Sequence, residues 1–61
     1  MNETKETLQT ILINMDIPES KLNLDDISNI RWLQRNISIR NSNHPLFTMA
    51  CDLIKELLKN A

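Results

Sequence analysis

The single histidine and the single cysteine, His44 and Cys51, are the first residues whose types could do chemistry together. A Cys–His nucleophile needs sulfur and imidazole nitrogen about 3 Å apart. Seven positions apart on one helix, the two residues face the same way but lie about 10 Å apart along the axis. This spacing argues against a catalytic pair, and we expect Cys51 to be a small core residue.

Metal, phosphate and cofactor sites are also poorly supported. A zinc site needs three or four ligands at close spacing, whereas Asp52 and Glu56 offer two carboxylates on a helix face that Lys55 and Lys59 flank. The chain has no glycine, which phosphate-binding and dinucleotide-binding loops require. We therefore expect no catalytic residue, no metal site and no cofactor, and we expect that the protein is not an enzyme.

A group of arginines is the strongest candidate for binding. Arg31, Arg35 and Arg40 lie within ten residues, and no acidic residue occurs in the range 27–51. Arginine forks bind phosphate and carboxylate groups, and a helix that begins near His44 would add backbone N–H groups that favour anions. Two interpretations remain open. These residues bind a phosphate, a nucleic acid or an acidic peptide, or the arginines only form surface ion pairs.

Trp32 is the second candidate, because it falls outside the predicted apolar stripe of its helix. At 100° per residue it lies about 150° from the centre of that stripe. A tryptophan beside Arg35 and outside the core is typical of an interface anchor. The alternative is that the ring lies flat under the first helix or the connector. The predicted partner-binding or anion-binding residues are Arg31, Trp32, Arg35, Arg40 and His44.

Three amphipathic segments must position these side chains, and they predict helices near 3–15, 24–37 and 45–59. Pro18 ends the first helix, Asn23 is a good cap for the second, and Pro45 suits the first turn of the third. The apolar stripe of the first helix consists of Leu8, Ile11, Leu12 and Met15. The stripe of the second consists of Ile27, Ile30, Leu33 and Ile37.

The third segment is the most apolar. Its apolar residues cover an arc of about 200°, whereas a helix on the outside of a monomer needs little more than about 100°. This helix is therefore either sandwiched between the other two or shared with another chain. Together with Trp32, the wide arc favours a homodimer.

Length and composition restrict the class of protein. With 61 residues, 41% hydrophobic and 25% charged, the chain predicts a single all-α helical domain over residues 1–61. One cysteine allows no internal disulfide, which favours a reducing compartment. The polar amino terminus does not resemble a signal peptide, and no apolar run reaches the length of a membrane span. We expect a cytoplasmic protein with no membrane association.

These observations predict a small intracellular protein that acts through a helical surface, either in protein–protein interaction or in regulation, with a protein partner and as a homodimer. The alternative is a nucleic-acid-binding module that uses Arg31, Arg35 and Arg40. The net charge of −1 weighs against the alternative, because nucleic-acid-binding domains usually carry a basic excess.

Overall fold

The structure, a computed structural model, describes residues 3–60 and confirms the predicted all-α fold with three helices. Helix α1 is Glu3–Asn14, α2 is Ile27–Arg40 and α3 is Phe47–Lys59, and a short 3-10 helix, Glu19–Lys21, lies in the first connector. No residue in the described range is in a β-strand.

Helix α3 lies between α1 and α2 and packs against both, while α1 and α2 make few contacts with each other. Of the two arrangements expected for this helix, the sandwiched one is therefore observed. Ala50, Ile54 and Leu57 are buried, and Met49 is 52% exposed. Other apolar residues of its wide arc pack half-buried against the core, namely Phe47, Cys51, Leu53 and Leu58. The homodimer stays a prediction.

Helix α1 places its predicted stripe in the core and then ends abruptly. Asp16 has a φ of 58°, the left-handed conformation that glycine usually adopts at a helix end. The N–H of Asp16 donates to the carbonyl of Ile13 at 3.1 Å, and the N–H of Ile17 donates to that of Leu12 at 3.1 Å. These two bonds form a Schellman motif, and the buried side chains of Leu12 and Ile17 supply the apolar contact that accompanies it.

Helix α2 begins at Ile27, so the prediction of a start at residue 24 with Asn23 as cap was wrong. The Asn23 side chain instead accepts a hydrogen bond from the N–H of Asp25 at 3.1 Å, which forms a turn. Leu24 inserts into the core with 2% exposure. Asp26 is the cap, and its carboxylate accepts from the N–H of Ser28 at 2.9 Å. Ile27, predicted to belong to the core stripe of this helix, is its first residue and is 37% exposed, so the stripe is buried only at Ile30, Leu33 and Ile37.

The junction between α2 and α3 also differs from the prediction. Helix α2 continues to Arg40, three residues beyond the expected end, and the N–H of Asn41 still donates to the carbonyl of Ile37 at 2.8 Å. Pro45 precedes α3 instead of starting it. The N–H of Leu46 donates to the His44 ring, which closes a local turn. Helix α3 begins at the next residue, Phe47.

Candidate functional site

The outer face of α2 presents Arg31 and Arg35 to solvent. The two residues are one helical turn apart and both are exposed. Neither forms an ion pair with another residue in the range 3–60. The ion pair found in that range joins Lys5 to Asp25. The surface ion pairs of the alternative interpretation are therefore not formed by these residues. Whether the arginines bind a partner stays a prediction.

Ile39 lies on the same outer face, one turn beyond Arg35, and is 78% exposed. A single exposed isoleucine is ordinary on a protein surface. Here it extends a stripe that already holds two arginines, because positions 31, 35 and 39 follow one another at four-residue spacing. We define the outer face of α2 as Arg31, Trp32, Arg35 and Ile39.

Trp32 borders this stripe and is half-buried, with its ring packed against the hydrophobic core. Two cations approach the ring. The Lys21 Nζ lies 4.7 Å from the ring centroid, and the Arg40 guanidinium carbon lies 5.8 Å from it. Both distances are within the range of cation–π attraction. The structure thus brings two of the predicted site residues, Trp32 and Arg40, into contact.

Lys21 is the residue that the sequence analysis missed. It lies in the 3-10 helix of the first connector. The connector as a whole has no regular period, so the sequence pattern does not predict which way Lys21 points. One of the two interpretations of Trp32 did indicate this region, because it placed the ring under the first helix or the connector. The structure places the connector beside Trp32, and Lys21 joins Arg40 as the second cation at the ring.

A cavity of about 240 Å³ lies beside the ring, between the end of α1 and the last turns of α2. Two amides in its wall are already bonded: Asn36 donates to the Trp32 carbonyl at 2.8 Å, and Asn41 donates to the Met15 carbonyl at 3.2 Å. The charged groups in the wall are those of Asp16 and Arg40. This small cavity therefore contains charges of both signs.

His44 is held in the turn between α2 and α3. Its Nδ1 accepts a hydrogen bond from the N–H of Leu46 at 3.0 Å, so the neutral ring carries its proton on Nε2. Within the described residues no hydrogen bond or ion pair joins His44 to Arg31, Arg35 or Arg40. The structure therefore gives His44 a local role and does not connect it to the arginines.

Cys51 lies half-buried in the groove between α2 and α3, beside Phe47 and Gln34. Burial raises the pKa of its thiol, an effect that the nearby Lys55 ammonium opposes. A protonated thiol is a poor nucleophile, which agrees with the expected small core residue. In residues 3–60, no three histidine, cysteine or acidic side chains lie close enough together to hold a metal ion.

Comparison of the chain with protein-family models, with curated proteins and with solved structures gives no match. Among the described residues, every helix is too short or too polar to cross a lipid bilayer.

Proposed function

We propose that this chain is a small interaction or regulatory protein without catalytic activity, and that it binds a protein partner through the outer face of α2. The observation that carries the proposal is the pair Arg31 and Arg35, exposed and without an ion pair to any described residue, next to Trp32 and Ile39. We place its action inside the cell, since a domain this small with a single cysteine lacks the disulfides typical of small secreted domains.

The residue types of this face support binding to another protein. Tryptophan and arginine are the residues most enriched where binding energy concentrates in interfaces. The exposed Ile39 adds apolar area that water solvates poorly. The two guanidinium groups favour carboxylate partners, which they bind through paired hydrogen bonds. The partner surface that fits is acidic with an apolar centre.

The same features argue against nucleic acid as the partner. The acidic Asp16 shares a cavity with Arg40, and its charge would repel a phosphate backbone at that point. The whole chain carries a net charge of −1, whereas domains that bind nucleic acid usually have a clear basic excess. An exposed isoleucine gains nothing from a phosphate backbone, but it gains from an apolar protein surface.

The test is affinity capture from an extract of the native host, with the wild-type chain and the double variant Arg31→Ala/Arg35→Ala as baits. We expect specific proteins to bind the wild type and to be lost from the double variant. The control bait is Lys55→Ala/Lys59→Ala, which removes two exposed cations from α3 and should capture the same proteins as the wild type.

Capture that is unchanged in the arginine variant would contradict the proposal. So would retention on immobilised heparin or DNA that weakens with rising salt and depends on the same arginines, since that is the behaviour of a phosphate-binding surface. Circular dichroism of each bait verifies that it is folded before the comparison is made.

A further inference from the structure

A second charged surface lies next to the outer face of α2. Ile13 is 60% exposed, and it lines an open cavity of about 450 Å³ together with Asp16, Glu19 and Leu22. Neither carboxylate forms an ion pair with a described residue. We call Ile13, Asp16 and Glu19 the acidic groove.

The acidic groove and the outer face of α2 are parts of one continuous surface. Asp16 and Ile17 line the acidic groove, and both also line the cavity that contains Trp32 and Arg40. Lys21, in the same 3-10 helix as Glu19, lies over the Trp32 ring at 4.7 Å. The surface therefore has an acidic half with one exposed isoleucine and a basic half with another.

We propose that this surface binds a second copy of the chain across a two-fold axis that passes near Trp32, with the outer face of α2 of each copy against the acidic groove of the other. This inference rests on the proposed function and names the partner of the same site. In a two-fold interface each surface must be complementary to itself. A surface with adjacent acidic and basic halves meets this condition, because the rotation places each half against its opposite.

The distribution of charge along the chain favours a second copy over an unrelated partner. Residues 1–26 contain six acidic side chains and two lysines, whereas residues 27–51 contain three arginines and no acidic side chain. The chain itself supplies the acidic and apolar surface that the outer face of α2 requires. In the dimer, Ile39 of one copy and Ile13 of the other are both removed from water.

We expect the proposed dimer to be weak. A standard interface covers about 800 Å² on each partner, about a fifth of the 4169 Å² of accessible surface of this chain. The two regions are defined by seven residues, whereas a standard interface uses about 20–30 residues on each side, and interfaces at the low end of the size range are transient. We therefore expect association at micromolar concentrations, weakened by salt because the paired charges are at the surface.

A charge exchange between two variants tests the arrangement. Arg35→Glu and Glu19→Lys each place like charges opposite one another in a homodimer, and analytical ultracentrifugation of either variant alone should show association weakened roughly tenfold or more. Mixed in equal amounts, the two variants should dimerise as the wild type does. In the mixed dimer the two introduced charges, which are opposite in sign, would face each other, and the native Arg35 of one copy would face the native Glu19 of the other. The matched control Lys59→Glu, on α3, should leave association unchanged.

A wild-type chain that stays monomeric at several hundred micromolar overturns the inference. A dimer that neither variant weakens also overturns it, as does a mixture that fails to associate. The proposed function has a separate readout. If the chain is monomeric and host proteins are still captured through Arg31 and Arg35, the outer face of α2 binds another protein and only the inference fails. If that capture is absent as well, both fail.

Discussion

The ammonium nitrogen of Lys21 lies 4.7 Å from the centroid of the Trp32 ring, so a cation–π contact joins the first connector to α2. The guanidinium carbon of Arg40 lies 5.8 Å from the same centroid. The ring also packs against the hydrophobic core. Trp32 therefore has two roles: its inner part stabilises the junction between the connector and α2, and its outer part borders the surface proposed to bind a partner.

We expect Trp32→Ala to lower the free energy of unfolding by about 2–3 kcal/mol, somewhat less than the loss for a fully buried aromatic side chain. Lys21→Ala should lower it by about 0.5–1 kcal/mol. In the double variant the two losses should not add, because the lysine has no ring left to contact. Urea denaturation followed by circular dichroism gives all three values. A Trp32→Ala variant as stable as the wild type would show that the ring is not packed.

Leu33 and Ile39 lie on the same helix with opposite surroundings: Leu33 is fully buried and Ile39 is 78% exposed. Leu33→Ala should cost about 2–5 kcal/mol. At about 0.1 kcal/mol per residue, the whole chain is stabilised by only about 6 kcal/mol, so this variant should retain only about 1–4 kcal/mol and unfold at a much lower urea concentration than the wild type. Ile39→Ala should change stability by less than about 0.5 kcal/mol. The measurement is urea denaturation at submicromolar concentration, and similar losses at both positions would refute the burial pattern.

The adjacent residues Asp25 and Asp26 have different roles: Asp26 caps α2, whereas Asp25 forms a surface ion pair. Asp26 accepts the N–H of Ser28 at 2.9 Å, and Asp26→Ala should destabilise the chain by about 1 kcal/mol. Asp25 pairs with Lys5 at 2.6 Å, but its side chain is 82% exposed, and such pairs contribute little. In thermal unfolding, the melting temperature of Asp26→Ala should therefore be lower than that of Asp25→Ala. The reverse order would place the cap of α2 elsewhere.

The left-handed Asp16, with a φ of 58°, predicts opposite effects for two substitutions. Glycine adopts this conformation without steric cost, so Asp16→Gly should raise the melting temperature. A β-branched residue is strained there, so Asp16→Val should lower it by several degrees. Differential scanning calorimetry at low protein concentration checks both. Equal melting temperatures for the two variants would contradict the Schellman motif at the end of α1.

Periodicity was enough to predict the three helices and most of the core, because burial follows the helical repeat. In α1, for example, Leu8 and Leu12 are fully buried as expected. The start of α2 was not predictable in the same way. Asn23 and Asp26 are equally good caps, and the choice between them depends on Leu24, which enters the core only in the folded chain.

The positions of the candidate site residues were predictable where they depend on one helix and unpredictable where they depend on the connector. The exposure of Arg31 and Arg35 follows from their positions on α2. The contact between Lys21 and Trp32 joins residues of two different elements. The hydrogen bond from the N–H of Leu46 to the His44 ring was not predictable either, because it depends on the conformation of a local turn. The role of His44 in binding stays a prediction.

The central claim is that Arg31 and Arg35 serve binding and not folding. The most direct measurement is the thermal unfolding of Arg31→Ala/Arg35→Ala beside its capture of host proteins. Because neither arginine has an ion pair in the described range, we expect the melting temperature to stay within about 3 °C of the wild type while the arginine-dependent capture is lost. A melting temperature lower by about 5 °C or more, with capture unchanged, would contradict the claim and assign both arginines to the stability of the fold.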